Sequence, residues 1–164
     1  MKFQNPVSLS NYQAGTPQAL DLDASQDFME ELLSELNSEV EVSEGESENE
    51  NQISFKGEIE MIKGKFEEFF QITGRLKITY STNDIVTNEP MTELFDHEVN
   101  CLVLTQEVGE KLHLIDEIDI KHKGKDFDLY FMDDEDNFDF KDILHENIYL
   151  NKNPYPKKDP VAED

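Results

Sequence analysis

The chain has 164 residues, and its 38 acidic and 14 basic side chains give it a formal net charge of -24. A surface of this sign repels the phosphate backbone, so the composition excludes extensive direct binding to nucleic acid and favours basic proteins as partners. Hydrophobic residues make up 37% of the chain, which is enough for a core and excludes a wholly disordered protein.

Cysteine content and hydropathy indicate the compartment. Cys101 is the single cysteine, which excludes an internal disulfide framework and a multi-cysteine zinc site. The sequence has no basic start followed by an apolar segment and no run of about 18 apolar residues, so it predicts neither export nor a membrane span. We therefore expect a cytoplasmic protein with no membrane partner.

The N-terminal third of the sequence predicts an arm, a helix and a loop. Residues 1–22 mix proline, glycine, serine and asparagine with scattered apolar groups, so we expect an extended arm with little regular structure. From Ser25, a candidate N-cap, apolar residues recur at helical spacing and predict a helix with one buried face. These residues are Phe28, Met29, Leu32, Leu33 and Leu36. Residues at about 38–52 lose large side chains and gain glutamates, which predicts a flexible acidic loop.

Alternation of apolar and polar side chains predicts two neighbouring strands. The first covers 53–61, and after a turn at Lys63-Gly64-Lys65 the return strand runs over 66–80. Gly74 stands where the apolar face of the return strand needs a side chain. A glycine in that place indicates a bulge or a close approach of two backbones.

Further strands are predicted after Pro90. One covers 94–104, and the segments 112–120 and 127–132 are expected to pair with each other around a short turn. Strands joined by short turns favour an antiparallel arrangement. The predicted fold class is therefore α+β, with an antiparallel sheet on which an N-terminal and a C-terminal helix pack.

The C-terminal helix is predicted to begin after Asp139, a candidate N-cap. Two prolines, at 154 and 156, prevent its continuation far beyond Leu150. Its predicted buried face consists of Phe140, Ile143, Leu144 and Ile148. We expect residues 23–156 to form one domain and 157–164 to form a charged tail.

Several groups of side chains have the right chemistry for a site but lack the spacing that a site needs. The acidic cluster at 133–139 lacks the alternating ligands, the glycine and the final glutamate of a calcium loop. The four histidines lack metal-ligand spacing, and Cys101 lies in an apolar run that indicates a buried, inert thiol. The sequence therefore predicts no catalytic residue, no cofactor, no metal site and no enzymatic activity.

Two blocks of the sequence resemble the YceD family of bacterial proteins, which are linked to accumulation of 23S ribosomal RNA and the large ribosomal subunit. In that family a strand of the form G-x-x-K-[VI]-T leads to a C-x-R-C pair, a proline and another strand. Gly74, Lys77 and Pro90 match this first block, whereas Asp84 and Thr87 stand in place of the two cysteines. Metal or redox chemistry by such a pair is therefore not implied for this chain.

The second block is similar to the acidic and apolar helix near the end of the family's domain and to the proline-containing tail after it. Asp139 and Glu146 match the helix, and Pro154 matches the tail. The resemblance covers roughly 53–156 and implies that the matched positions in both blocks contribute to an interaction surface. The run 81–90 is expected to be an exposed turn, in which alanine at Asp84 and Thr87 costs little stability.

The resemblance implies a non-enzymatic factor in large ribosomal subunit biogenesis that supports accumulation or processing of 23S ribosomal RNA. We expect the partner to be a basic ribosomal protein or a large-subunit precursor, and any contact with 23S ribosomal RNA to be indirect. Charge alone supports an alternative, an acidic interaction module such as a toxin-neutralising or nucleic-acid-mimicking protein. A small hydrolase that pairs Glu146 with a second acid in one pocket is a further alternative.

Overall fold

The computed structural model describes residues 3–38, 51–63, 68–107 and 127–153. The strands in chain order are β1 Val7–Ser8, β2 Gln18–Asp23, β3 Gln52–Lys63, β4 Glu68–Asn83, β5 Pro90–Leu104, β6 Asp128–Phe131 and β7 Asn137–Phe138. The helices are α1 Asp27–Ser38 and α2 Phe140–Asn151, and a short 3-10 helix covers Leu9–Asn11. The main sheet has the order β2-β3-β4-β5-β6, and β1 pairs with β7 in a second, two-stranded sheet.

Both α-helices pack on one face of the main sheet, which confirms the predicted α+β class. The apolar side chains of β3 point into the core at alternate positions, as its sequence pattern predicts: Ile53, Phe55, Ile59 and Met61. The Phe140 ring of α2 packs edge to face on Phe55, with their centroids 5.3 Å apart. Each fully buried side chain of this size stabilises the fold by roughly 1.5–3 kcal/mol.

The two helices begin and end close to the predicted positions. α1 begins at Asp27, two residues after the proposed cap Ser25, and a tight turn precedes it. α2 begins as predicted, because the Asp139 side chain accepts a hydrogen bond from the Lys141 backbone N–H at 2.9 Å. It ends at Asn151. Neither helix has the length and apolar character that crossing a bilayer requires.

The N-terminal arm contains a strand, contrary to the expectation of little regular structure. Residues 18–23 form β2, which pairs antiparallel with β3 along its whole length. Leu20 and Leu22 are buried in the core, whereas the aspartates that follow each of them are exposed. This alternation is the signal of a strand. The prediction is wrong because it gave more weight to the proline and glycine just before the strand.

β6 pairs parallel with β5, from Cys101–Asp128 to Leu104–Phe131. The predicted partner of this segment, 112–120, lies outside the described residues. The turn residues 64–65 and most of the predicted acidic loop, 39–50, also lie outside them.

Gly74 marks a close approach of two strands, as predicted. It pairs with Gly57 of β3 in an unbroken register, so there is no bulge at this point. A Cβ atom at Gly57 would lie 2.1 Å from the Thr73 carbonyl oxygen, and one at Gly74 would lie 2.5 Å from the Phe55 ring. Only glycine fits on both strands at these distances.

β4 and β5 form a longer hairpin than predicted. β4 continues to Asn83 and β5 begins at Pro90, so the run 81–90 is only partly a turn. Pro90 occupies the first position of its strand, where its missing N–H does not break the ladder. The last pair of β3 with β4 joins Gln52 to Thr79. The final four β4–β5 pairs, which we call the hairpin ribbon, therefore extend beyond β3 by roughly 13 Å.

Candidate interaction surface

The turn at the end of the hairpin ribbon is organised around Asp84, which is 4% exposed. Its Oδ1 accepts hydrogen bonds from the backbone N–H of Val86 at 2.7 Å and of Thr87 at 3.0 Å. Its own backbone N–H donates to the Glu89 carbonyl, and its carbonyl accepts from the Asn88 N–H, both at 2.8 Å. Four hydrogen bonds thus fix the turn through one residue.

This turn presents two aliphatic side chains to solvent. Ile85 is 55% exposed and Val86 is 69% exposed, and we call this pair the hairpin tip. Asn88 completes the turn in the left-handed conformation, with a φ of 59°, which asparagine adopts more readily than most residues. Because the backbone is already fixed, little ordering of the tip is needed when a partner binds it.

Asp84→Ala is expected to lower the free energy of unfolding by roughly 1–2 kcal/mol, because the two turn N–H groups lose their acceptor. This corrects the expectation from sequence that alanine there costs little. Thr87→Ala is the control, because Thr87 is exposed and its hydroxyl accepts one long hydrogen bond, 3.3 Å from the Glu89 nitrogen. Its expected cost is within about 0.5 kcal/mol. Urea denaturation of both variants tests this, and equal midpoints would contradict the role of Asp84.

The base of the hairpin ribbon is tied to the residues that flank the glutamate-rich segment. The Ser81 N–H donates to Asn37 Oδ1 at 3.1 Å, and Asn51 Nδ2 donates to Ser81 Oγ at 2.9 Å. Asn51 Nδ2 also lies 3.2 Å from Asn37 Oδ1. Between these two asparagines, the sequence of 39–50 contains six glutamates. Asn37 and Asn51 therefore lie beside the base of the ribbon.

The outward face of the sheet brings together three cations that are distant in sequence. Lys56 lies opposite Arg75, and Lys77 follows on the same face of β4. Carboxylates lie between these cations. Arg75 Nε donates to Asp96, and Glu98 of β5 lies opposite Arg75 of β4. The two cross-strand rows that hold these three cations also hold four carboxylates, those of Asp21, Asp23, Asp96 and Glu98. This face is therefore not a basic patch.

A shallow depression of about 620 Å³ lies on the same face, over the glycine pair. Its side chains are polar or charged, and they belong to Lys56, Glu58, Thr73, Arg75, Glu98 and Asn100. Sites for small organic ligands are mostly apolar and concave. The depression does not have this character.

The start of α2 is closed by the N-terminal segment. Asn5 Nδ2 donates to Asp139 Oδ1, and Asn5 Oδ1 accepts from the first backbone N–H of α2, both at 2.7 Å. In the same first turn, Lys141 Nζ lies 2.9 Å from carboxylate oxygens of both Glu31 and Glu35 of α1. The hydrogen bonds to Glu35 and Glu31 raise the pKa of Lys141. Asp139 is therefore a structural cap within the fold.

The buried thiol and the buried amide have structural surroundings. Cys101 is fully buried, as predicted, and this burial, with a smaller effect of Asp128, raises the pKa of its thiol to about 12. Asn147 is 3% exposed, and its Nδ2 donates to the Ile143 carbonyl at 2.8 Å and lies 3.3 Å from the Tyr130 hydroxyl. These contacts tie α2 to β6.

The acidic cluster at 133–139 forms a turn before α2. Asp133 Oδ1 accepts from the backbone N–H groups of Glu135 at 2.9 Å and Asn137 at 3.0 Å. Within the described ranges, no three His, Cys, Asp or Glu side chains are arranged to hold a metal ion. His145 stacks on Tyr149 with their centroids 4.4 Å apart. His113 and His122 lie outside the described residues.

The residues that the family resemblance singles out do not converge on one site. The hairpin turn contains Asp84, Thr87 and Pro90, and the middle of β4 contains Gly74 and Lys77. Asp139 lies at the start of α2 and Glu146 on its exposed face, whereas Pro154 lies outside the described ranges. Gly74 is roughly 33 Å from Asp84 along the strand.

Sequence reasoning missed the hairpin tip itself. Its signal is a pair of adjacent aliphatic residues, Ile85 and Val86, in an otherwise polar run. A comparison of the chain with protein-family models, curated proteins and solved structures gives no match in any of the three. The kinship with the YceD family therefore stays a prediction that depends on the matched residues.

Proposed function

We propose that this protein is a non-enzymatic cytoplasmic factor that binds a basic protein and assists biogenesis of the large ribosomal subunit. The observation that carries the choice of partner is the interleaving of charges on the outward sheet face. Even where Lys56, Arg75 and Lys77 meet, carboxylates outnumber them. Binding to a phosphate backbone requires uncompensated lysines and arginines, so a basic protein is the direct partner and 23S ribosomal RNA is affected indirectly.

The two motif blocks support the ribosomal part of the proposal. Several matched residues have a clear structural reason in this fold: Gly74 allows the close approach of β3 and β4, Pro90 opens β5, and Asp139 caps α2. These structural roles support the proposed kinship, and the proposed chemistry of the partner follows from charge.

Ribosomal proteins carry basic segments that contact RNA. A chain with a net charge of -24 attracts such segments over a long range and screens them from nonspecific contacts before they meet RNA. Binding of this kind weakens as salt is raised. An assembly factor of this type needs no catalytic residue.

Depletion of the protein in its own cells tests this proposal. We expect a sucrose gradient to show a selective deficit of large subunits, with 23S ribosomal RNA reduced or incompletely processed, and re-expression of the wild-type chain to restore both. Small subunits serve as the internal control and should keep their amount. A normal profile with normal 23S processing would overturn the ribosomal assignment.

A further inference from the structure

We infer that the hairpin tip, Ile85 and Val86, is the docking element through which this protein holds its basic partner. The inference rests on the proposed function for the nature of that partner and adds the contact that holds it. The two aliphatic side chains enter an apolar pocket on the partner, and lysine and arginine side chains around that pocket face Glu89 of the turn and Glu93 of the ribbon.

The position of the tip suits insertion into a concave surface. Among the described strands, β3 ends its pairing at Thr79, so the last four β4–β5 pairs form a two-stranded ribbon whose first residue, Tyr80, is still part of the core. The tip is at the end of this ribbon. Its side chains are 55% and 69% exposed, and most of their area is therefore available for burial against a partner.

The backbone of the tip is fixed by hydrogen bonds to the buried carboxylate of Asp84. Removing a carboxylate from water is unfavourable unless hydrogen bonds compensate it. Asp84 has this compensation from the N–H groups of Val86 and Thr87, so the hydrogen bonds that stabilise the buried carboxylate also fix the backbone of the tip. Rigid display of apolar side chains lowers the entropy lost on binding.

The charge around the tip selects the partner. Between Lys77 and Lys111 the sequence contains no lysine or arginine, and this stretch includes the whole ribbon and the tip. Glu89 is exposed beside the tip, and Glu93 lies in the ribbon opposite Tyr80. An apolar tip flanked by these two carboxylates is complementary to an apolar pocket with a basic rim.

The same charges disfavour the other possible occupants. A second copy of this chain would bring two net charges of -24 together. The anionic headgroups of a lipid surface and the phosphates of RNA are repelled for the same reason. A basic protein is the occupant that gains both from the apolar tip and from the negative charge of the chain.

Retention of ribosomal proteins on the immobilised full chain tests the inference. The probe is the protein fraction of purified large subunits after complete nuclease digestion. The test variant is Ile85→Ser with Val86→Ser. The matched control is Phe131→Ser, because Phe131 is also 50% exposed but pairs with Leu104, at the end of β5 opposite to the tip.

We expect the wild-type chain to retain a basic protein in a salt-sensitive manner. The tip variant should retain about tenfold less, and the control should remain within about twofold of the wild type. Circular dichroism and urea midpoints check that both variants fold. As a second measurement that needs no disruptive change, a photo-crosslinking residue at 86 should capture the same basic protein, and one at 131 should not.

The outcomes separate the two proposals. Equal retention by the tip variant and the wild type would overturn the docking element but leave the proposed function intact, since a basic protein is still bound. Failure of the wild-type chain to retain any basic protein would count against the proposed function itself, and the inference would fail with it. A crosslink from 86 to a second copy, to RNA or to lipid in cells would overturn the basic occupant.

Discussion

Gly57→Ala is expected to lower the free energy of unfolding by roughly 3–5 kcal/mol, which is a large part of the stability of an ordinary domain. The added Cβ would stand 2.1 Å from the Thr73 carbonyl oxygen and 2.6 Å from the Gly74 Cα. Both are backbone atoms of the neighbouring strand, so no side-chain rotation relieves the overlap. β3 and β4 would have to separate in the middle of their paired region and lose hydrogen bonds on both sides.

Gly15→Ala is the matched control for this change. Gly15 has a φ of +78°, but no atom lies within 4 Å of the position that its Cβ would take. The substitution therefore costs only the left-handed conformation, about 1–2 kcal/mol. Urea denaturation followed by circular dichroism compares the two variants. A Gly57→Ala midpoint at or above that of Gly15→Ala would show that the strands do not approach as closely as described.

Ile143→Asp is expected to cost roughly 4 kcal/mol, enough to unfold the domain at moderate temperature. Ile143 is 3% exposed on the face of α2 that packs on the sheet, so the variant leaves a void and buries a carboxylate without a partner. Thermal melting measures the effect. Protonation of the new carboxylate at low pH should recover part of the loss, since the neutral acid is less unfavourable in the core.

Leu150→Asp places the same charge on the same helix at a position that is 73% exposed. We expect it to cost at most about 1 kcal/mol, which is the effect of an acidic residue near the helix C-terminus. If Ile143→Asp melts at the temperature of Leu150→Asp, the buried face of α2 has been assigned to the wrong residues.

The elements that the sequence predicts correctly are those whose apolar pattern extends over many residues. β3 and β4 alternate through 12 and 16 residues, and the register between them matches that alternation. α1 and α2 bury the apolar stripes that their spacing indicates. In these four elements the hydrophobic pattern and the local propensity agree, and agreement of this kind makes a prediction reliable.

Among the strands, the wrong prediction concerns β2, a short element at one edge of the main sheet. β2 has six residues, so few pattern positions compete with the turn-forming residues around it. β6 has four residues, and its predicted pairing with 112–120 stays a prediction. No local pattern in these four residues encodes their parallel pairing with β5.

The candidate site could be predicted only in part, because its central residue, Asp84, is buried although aspartate is usually exposed. Aspartate is mostly exposed, and in a polar run it indicates a solvated turn. Asp84 instead is 4% exposed, since the turn folds back over its carboxylate. Aspartate side chains often accept hydrogen bonds from the backbone N–H groups two and three residues later in the sequence. Whether the carboxylate is also buried depends on the surrounding chain. Ile85 and Val86 are exposed as a consequence, and periodicity does not reveal this.

The bonds between Asn5 and the start of α2 affect the order in which the domain forms. They join residues 134 positions apart in the sequence, and β1 pairs with β7 over a similar separation. Contacts this distant form late in folding. At translation rates of about 5–20 residues per second, Asp139 is synthesised roughly 7–27 s after Asn5. Until then the inner face of the sheet lacks α2, so a nascent chain paused before α2 exposes apolar surface that is prone to aggregation.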